Sequence, residues 1–140
     1  MYMRLILTGL IGSLLLAAGC GSNVKVTGKV TFEDGQPLAK GRVCFQTDKF
    51  FADGPIQKDG TYTLGSVGEN TGLPKGTYQV FIAGAETPPQ LVVVGGQVNL
   101  LGKTLPGNPL VHKKFTDRMT SGLTCEVKGR TVFDITVMPP

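Results

Sequence analysis

The 140-residue sequence predicts an all-β protein, a small antiparallel β-sandwich that follows an N-terminal signal helix. Three observations support this prediction. The 20 Gly and 9 Pro divide the chain into short segments, with no G-X-Y period of the collagen type. Several of these segments alternate apolar and polar residues, as half-buried strands do. The one apolar run that approaches membrane length ends before residue 20, so a multi-pass membrane protein is excluded.

The first twenty residues have the pattern of a secretion signal that ends at a cysteine. Arg4 precedes an apolar stretch from Leu5 to Leu16, and the small residues Ala17-Ala18-Gly19 stand directly before Cys20. This stretch is shorter than the roughly 20 residues of a membrane-spanning helix. The run Leu16-Ala-Ala-Gly-Cys20 resembles the lipobox of bacterial lipoproteins, with Ala17 standing where Leu is commonest.

The lipobox resemblance implies an N-terminal membrane anchor. Residues 1–19 are expected to form the signal peptide, Cys20 to be lipidated, and residues 20–23 to form a tether of about 14 Å before a domain at 24–140. The expected location is the cell envelope, facing the periplasm or the cell surface. The outer membrane is preferred, because Gly21 is not the acidic residue that retains some lipoproteins in an inner membrane.

The first two strands are predicted on either side of a turn. Residues from Val24 to Phe32 alternate with period two, Asp34-Gly35 turns the chain, and Arg42 to Thr47 offers the second strand. We expect these two strands to form a hairpin-like pair. The stretch at 50–51 that follows is interpreted as loose.

Later strands follow the same alternation. A third strand is predicted at Tyr62 to Leu64, and a fourth at Thr77 to Ala83, with residues 78, 80 and 82 facing the core. Leu123 to Lys128 and Thr131 to Val137 flank a Gly-Arg turn and are expected to form the closing hairpin.

The segment from Ala85 to Ser121 has no readable path, because Pro and Gly interrupt it repeatedly. Leu91 to Val94 is predicted to pair at a sheet edge. Apolar residues recur at helical spacing around Lys113 to Met119, so one or two turns of helix and an extended crossing both remain open there.

Five short motifs then stand in a fixed order: Val26-Thr-Gly-Lys-Val30, Asp34-Gly-Gln-Pro-Leu38, Gly41-Arg-Val-Cys-Phe45, Asp59-Gly-Thr-Tyr62 and Gly76-Thr-Tyr-Gln-Val80. Together they resemble carboxypeptidase regulatory-like domains. The motifs Thr120-Ser-Gly-Leu-Thr124, Val127-Lys-Gly129 and Phe133-Asp-Ile135 are similar to small bacterial lipoproteins that carry only this domain. The resemblance implies a transthyretin-like, Ig-like sandwich and transfers no active site, because this module accompanies peptidases without supplying their catalytic groups.

The sequence offers little material for catalysis. His112 is its one histidine, whereas the hydroxyisourate hydrolases and intradiol dioxygenases of related folds depend on several. Neither a metal cluster nor a nucleotide loop is indicated, because the Gly65 to Gly68 segment lacks the following Lys. The four carboxylates weighed for acid-base or calcium chemistry are interpreted as structural: Asp53, Asp59, Asp117 and Asp134. We therefore expect no enzyme activity, no metal and no cofactor.

The formal net charge is +4, of which Arg4 in the signal segment contributes one. The remaining +3 lies between Lys103 and Arg118, where four basic residues accompany one acidic residue. Lys113, Lys114 and Arg118 are the candidate binding residues. Their expected partners are an anionic polysaccharide, a lipid headgroup or an envelope protein. Nucleic acid is not expected, since no aromatic stacking positions accompany these residues.

Cys44 and Cys125 are predicted to remain unbonded. Val43 and Phe45 are expected inward, so Cys44 points outward, whereas Cys125 shares the inward face of its strand. An oxidising compartment favours a bond between them, and strand parity opposes it.

The expected function is that of a membrane-anchored envelope lipoprotein with a noncatalytic binding or structural module. One alternative is an accessory domain that docks onto a larger envelope enzyme or surface complex, through an exposed edge such as Leu91 to Val94. A hydrolase is the third hypothesis.

Overall fold

Twelve β-strands and one 3₁₀ turn form the regular secondary structure in the part of the chain that the structure, a computed structural model, describes. The described residues are 22–65, 71–91, 93–98 and 104–140. The signal peptide, the signal helix and Cys20 lie outside these residues, as does Lys103. No helix within the described ranges is long and apolar enough to cross a membrane.

The strands are β1 Val26–Phe32, β2 Arg42–Gln46, β3 Phe51–Pro55, β4 Thr61–Thr63, β5 Gly76–Ala83, β6 Gln90–Leu91, β7 Val93–Val94, β8 Gln97–Val98, β9 Thr104–Leu105, β10 Leu123–Val127, β11 Thr131–Val132 and β12 Ile135–Val137. A first sheet contains β1, β4, β11 and β12, and a second has the order β10-β5-β2-β3. These two sheets enclose one core, and the predicted all-β sandwich is confirmed.

The predicted inward faces are confirmed in both sheets. Val26 and Val30 of β1 are fully buried, as are Val43 and Phe45 of β2. Residues 78, 80 and 82 of β5 are at most 2% exposed. The Phe45 ring contacts the Phe133 ring edge-to-face at 5.9 Å between centroids, which joins the two sheets across the core.

The expected hairpin of the first two strands is wrong. β1 pairs with β4 on one edge and with β11 and β12 on the other, while β2 pairs with β3 and β5. The turn at Asp34-Gly35 does reverse the chain, because the Phe32 N–H donates to the Gln36 carbonyl at 2.8 Å. Pairing back onto β1 stops at Leu38, whose N–H donates to Val30, and the chain then crosses to the second sheet.

The stretch interpreted as loose contains an edge strand, β3, which pairs with β2 in register from Phe51 to Pro55. The sequence does not indicate this strand, because Gly54 and Pro55 are both uncommon in strands. Pro55 is tolerated at an edge. A Cβ on Gly54 would lie 2.1 Å from the Thr63 carbonyl oxygen, so the close approach of β4 requires glycine there.

The expected closing hairpin is also wrong. β10 pairs with β5 in the second sheet, whereas β11 and β12 pair with β1 in the first. The turn at Gly129-Arg130 therefore carries the chain between sheets. The predicted inward faces hold, because Val127, Ile135 and Val137 are at most 1% exposed.

The C-terminal strands run parallel to β1, which departs from a purely antiparallel sandwich. Val26 pairs with Thr131 and Val30 with Ile135, so β11 and β12 follow the same offset along one edge of β1. The Tyr62 hydroxyl, from β4 on the other edge, passes over Gly28 and donates to the Phe133 carbonyl at 2.5 Å. A Cβ on Gly28 would lie 1.9 Å from that carbonyl oxygen.

The segment from Ala85 to Ser121 begins with a two-stranded ribbon. β6 pairs with β9, and β7 pairs with β8. Gly95 and Gly96 both have positive φ, 64° and 78°, as the two-residue turn of a type I′ hairpin requires. The edge strand expected at Leu91 to Val94 is thus split between two short strands of this ribbon.

A single 3₁₀ turn at Lys113–Thr116 follows the ribbon, so the helical alternative is correct in a shorter form. Val111 and Phe115 are buried in the core, while Met119 is 72% exposed. The helical spacing therefore does not extend to Met119.

Gly28→Ala is expected to lower the free energy of unfolding by about 3 kcal/mol, because the added methyl group overlaps the Phe133 carbonyl and displaces the Tyr62 hydrogen bond. Chemical denaturation of the purified protein measures this change. Gly129→Ala is the matched control: nothing lies within 4 Å of its added Cβ, and a change within about 1 kcal/mol is expected. Equal stability of the two variants would contradict the close approach.

Candidate functional site

The basic segment is held firmly against the sandwich. The His112 N–H donates to the Met138 carbonyl at 2.8 Å, and His112 Nδ1 accepts from the Lys114 N–H at 3.2 Å. Phe115 inserts into the core, and the Thr120 hydroxyl donates to the Lys114 carbonyl at 2.8 Å. The backbone that carries the three candidate cations is therefore fixed by core packing and hydrogen bonds.

The structure does not bring these three cations to one cavity. Lys113 borders a cavity of about 430 Å³ that is formed by residues 82–86, Pro109 and Thr116. Lys114 Nζ lies 4.7 Å from the centroid of the Phe115 ring. Arg118 points instead toward Asp48, with 3.7 Å between Nη1 and Oδ1. The predicted patch consists of separate charges on one short segment.

Arg118 belongs to a groove on the outer face of the second sheet, which we call the outer groove. Its volume is about 400 Å³, and it is lined by Gln46, Thr47, Asp48, Thr77, Gln79, Arg118 and Met119. Gln46 and Gln79 are directly paired across β2 and β5, so their side chains stand on the same face. The groove thus combines amides, hydroxyls, the Asp48 carboxylate, one guanidinium group and an exposed thioether.

The sequence predicts Arg118 as a binding residue, but it does not indicate Gln46 and Gln79. A signal was present, because Gln46 and Gln79 both follow buried apolar neighbours in strands that were correctly predicted. What the sequence lacked was the pairing of β2 with β5, which brings the two amides side by side.

Arg118 and Asp48 form a weak ion pair. The Asp48 side chain is 95% exposed and that of Arg118 is 34% exposed. Exposed pairs of this kind contribute about 0–1 kcal/mol, because water screens both charges. An anionic ligand can therefore replace the Asp48 carboxylate at Arg118 at little cost.

The four carboxylates weighed in the sequence all have structural partners. Asp59 accepts from the Thr61 hydroxyl at 2.6 Å and from its N–H at 3.0 Å, which lowers the pKa of Asp59. Asp117 accepts from the Met119 N–H and Asp134 from the Lys29 N–H. The fourth, Asp53, accepts from Arg42 Nε at 2.5 Å. No group of three or more His, Cys, Asp or Glu in the described ranges could hold a metal ion.

Cys44 lies on the outer face, as parity predicts, yet it is only 2% exposed. It occupies the inner strand β2, directly between Asp53 of β3 and Phe81 of β5. Burial, reinforced by the negative charge of Asp53, raises the pKa of Cys44 to about 12. Cys125 faces the core, where burial also raises its pKa. Both are free thiols on opposite faces of one sheet.

No protein-family model matches the chain, and no curated protein matches it. Two crystal structures of DUF3823 family proteins are similar to it. The protein from Bacteroides ovatus is 21% identical with a TM-score of 0.45, over 84% of this chain and 45% of that one. The protein from Parabacteroides merdae is 18% identical with a TM-score of 0.48, over 85% and 47%. This chain spans less than half the length of either structure.

Both thiols are expected to resist alkylation in the native protein at pH 8, because burial keeps them protonated, and to react fully after denaturation. Burial raises the pKa of Cys44 from its ordinary value of 9.0 to about 12. The free energy of unfolding therefore keeps its full value below pH 9.0 and falls as the pH rises toward about 12, because the folded state must then carry a buried thiolate. Mass spectrometry after timed alkylation measures the reaction, with denatured protein as the control. An intact mass lower by two hydrogen atoms, or rapid native alkylation of Cys44, would contradict this assignment.

Proposed function

We propose that this chain is an envelope lipoprotein whose lipidated Cys20 holds a noncatalytic binding module at a membrane surface. The observation that carries the proposal is the position at which the fold begins. Val24 already pairs with Leu73, with N–O distances of 2.9 and 3.1 Å in the two directions. Four residue steps from Cys20 to Val24 span about 14 Å at most, so a lipid on Cys20 would keep the start of the sandwich within about 14 Å of the headgroups.

A noncatalytic role is supported by how the reactive groups are used. The Cys44 thiol is protonated at neutral pH, because its pKa is about 12. His112 Nδ1 is occupied by a backbone N–H, and the Tyr62 hydroxyl donates to a carbonyl. We extend the proposal to a relationship with carboxypeptidase regulatory-like domains, which the sequence motifs support and which supply no catalytic groups.

The outer groove is the surface we propose for partner binding. It offers two neighbouring amides, Gln46 and Gln79, which suit the hydroxyl groups of a sugar. Arg118 adds a cation whose present partner, Asp48, is almost fully exposed. Met119 provides an exposed apolar side chain at the rim. A partner that matches all these groups is an anionic polysaccharide of the envelope.

Cys20→Ser is expected to block lipidation, so the variant whose signal peptide has been removed appears in the aqueous phase after detergent phase partitioning. Incorporation of labelled fatty acid into the protein is lost in the same variant. Ser22→Ala is the matched control, since it changes the tether and keeps the cysteine. A Cys20→Ser variant that is still processed and still enters the detergent phase would refute the anchor.

Arg118→Gln is expected to weaken binding of an acidic polysaccharide by about five-fold and to flatten its salt dependence, because a charge that contacts the ligand is removed. Titration calorimetry at two salt concentrations measures both effects. Lys58→Gln, which removes one exposed charge from a distant turn, is the control. A larger loss in the Lys113→Gln, Lys114→Gln double variant would move the site from the outer groove to the 3₁₀ turn.

A second function, that of an accessory domain, is supported by the ribbon. β6 and β9 pair only with each other within the described ranges, so their outer edges present unpaired backbone groups. Leu91 and Leu105 on these strands are 60% and 56% exposed. Mild crosslinking in intact envelopes separates the two functions: a stoichiometric protein partner that is lost when Leu91 and Leu105 are changed to Ser supports docking through the ribbon.

A further inference from the structure

Four basic side chains lie together at one end of the sandwich, where the described chain enters the fold. They are Lys25, Lys75, Lys128 and Arg130, and all are exposed. We call this group the basic end. Its members are scattered along the sequence, so no run of charge reveals it.

Strand register places two of them in the second sheet. Gly76 and Val127 form the last register pair of β5 and β10. Lys75 and Lys128 are the residues directly outside this pair, one on each strand. They therefore lie side by side where the two strands end.

The other two lie at the corresponding end of the first sheet. Val26 and Thr131 form the first register pair of β1 and β11. Lys25 and Arg130 stand directly before these residues, and the Thr131 N–H donates to the Lys25 carbonyl at 3.0 Å. Because the two strands are parallel, both cations project from the same end.

The bridge between Val24 and Leu73 shows that the two pairs share one end of the molecule. Val24 adjoins Lys25, and Leu73 stands two residues before Lys75. Lys113 lies elsewhere, since it borders the cavity at Ala83–Glu86, beyond the opposite end of β5. The basic end and the candidate cations of the 3₁₀ turn are thus separate surfaces.

The basic end keeps an excess of positive charge. Glu126 is paired with Lys128 at 3.5 Å between carboxylate and ammonium, and both side chains are well exposed, at 61% and 80%. An exposed pair of this kind exchanges readily with other ions. Among the described residues, with Glu126 set against Lys128, three cations still face outward from this end.

We propose that the basic end is a docking surface for the anionic phospholipid headgroups of the membrane that carries the protein. This inference rests on the proposed anchor at Cys20, because the tether delivers this end, and no other, to the bilayer. Cations next to an anionic surface are attracted within about 8 Å at physiological salt. The acyl chains fix the protein to the membrane, and the basic end fixes the orientation of the sandwich on it, with β1 and β5 leading away from the lipid.

Lysine acylation tests the proposal in the full-length lipidated protein. The protein is reconstituted into vesicles of phosphatidylcholine alone and into vesicles containing about one-third phosphatidylglycerol, and each lysine is followed by mass spectrometry. Lys25, Lys75 and Lys128 are expected to react about five-fold more slowly in the anionic vesicles. Lys40 and Lys58 serve as internal controls and keep their rates. Salt at about 1 M, which shortens the screening length to about 3 Å, removes the protection.

A matched pair of variants identifies the charges that matter. Changing Lys75, Lys128 and Arg130 to Gln is expected to abolish the protection of Lys25. Changing Lys29, Lys40 and Lys58 to Gln removes the same number of charges and leaves it intact. Thermal unfolding followed by circular dichroism verifies that both triple variants fold.

The outcomes separate this proposal from the anchor. Loss of the protein from vesicles after an alkaline wash contradicts lipidation at Cys20. Retention on the vesicles with equal lysine rates in neutral and anionic lipid overturns the basic end alone. Protection of Lys113 and Lys114 in place of Lys25, Lys75 and Lys128 also overturns it, as does protection by soluble polygalacturonate but not by vesicles.

Discussion

The fold depends on the C-terminal strand lying parallel to the first one. The Thr131 N–H donates to the carbonyl of Lys25, directly before β1, at 3.0 Å, and the Phe133 N–H donates to the Thr27 carbonyl of β1 at 2.8 Å. The Tyr62 hydroxyl from β4 closes the contact from the other side. Gly28 makes this possible, because any larger residue would fill the space that the Phe133 carbonyl and the Tyr62 hydroxyl occupy. With this pairing, Ile135 and Val137 complete the core; without it, an edge of β1 is open to solvent.

The same pairing determines what each end of the sandwich presents. Parallel first and last strands begin at one end, where the bridge of Val24 with Leu73 also lies. Exposed cations from three separate parts of the sequence therefore meet beside the point at which the described chain enters the fold. The outer groove lies on the outer face of the second sheet. Arg118, which follows the 3₁₀ turn in the chain, lines one side of it. The proposed orientation on the membrane and the proposed ligand binding therefore use different surfaces of one small domain.

Local features of the fold could be predicted from the sequence, whereas partner choice could not. Alternation within a strand reports which side chains face inward, and this held for β1, β2, β5 and the C-terminal strands. The Asp34-Gly35 and Gly129-Arg130 turns have residues typical of hairpins, yet the chain crosses to the other sheet after each of them. A hairpin of β1 with β2 does not form, because β4 pairs with one edge of β1 and β11 and β12 pair with the other. β3 was missed because Gly54 and Pro55 are poor strand formers, although the packing of β4 requires the glycine. The same limit applies to the sites. The charge of Arg118 can be identified from the sequence, but the strand pairing is needed to know that Gln46 and Gln79 lie beside each other and that the basic end forms one surface.

Native-state hydrogen exchange of the Thr131 and Phe133 amides tests this account most directly. They donate to the carbonyls of Lys25, directly before β1, and Thr27 in β1. Both should therefore exchange only through global unfolding, with the same free energy as the Val80 amide at the centre of the second sheet. Exchange of both amides at rates typical of a fraying terminus, while Val80 stays protected, would show that the C-terminal strand does not close the first sheet. That result would contradict the parallel pairing and, with it, the assembly of the basic end.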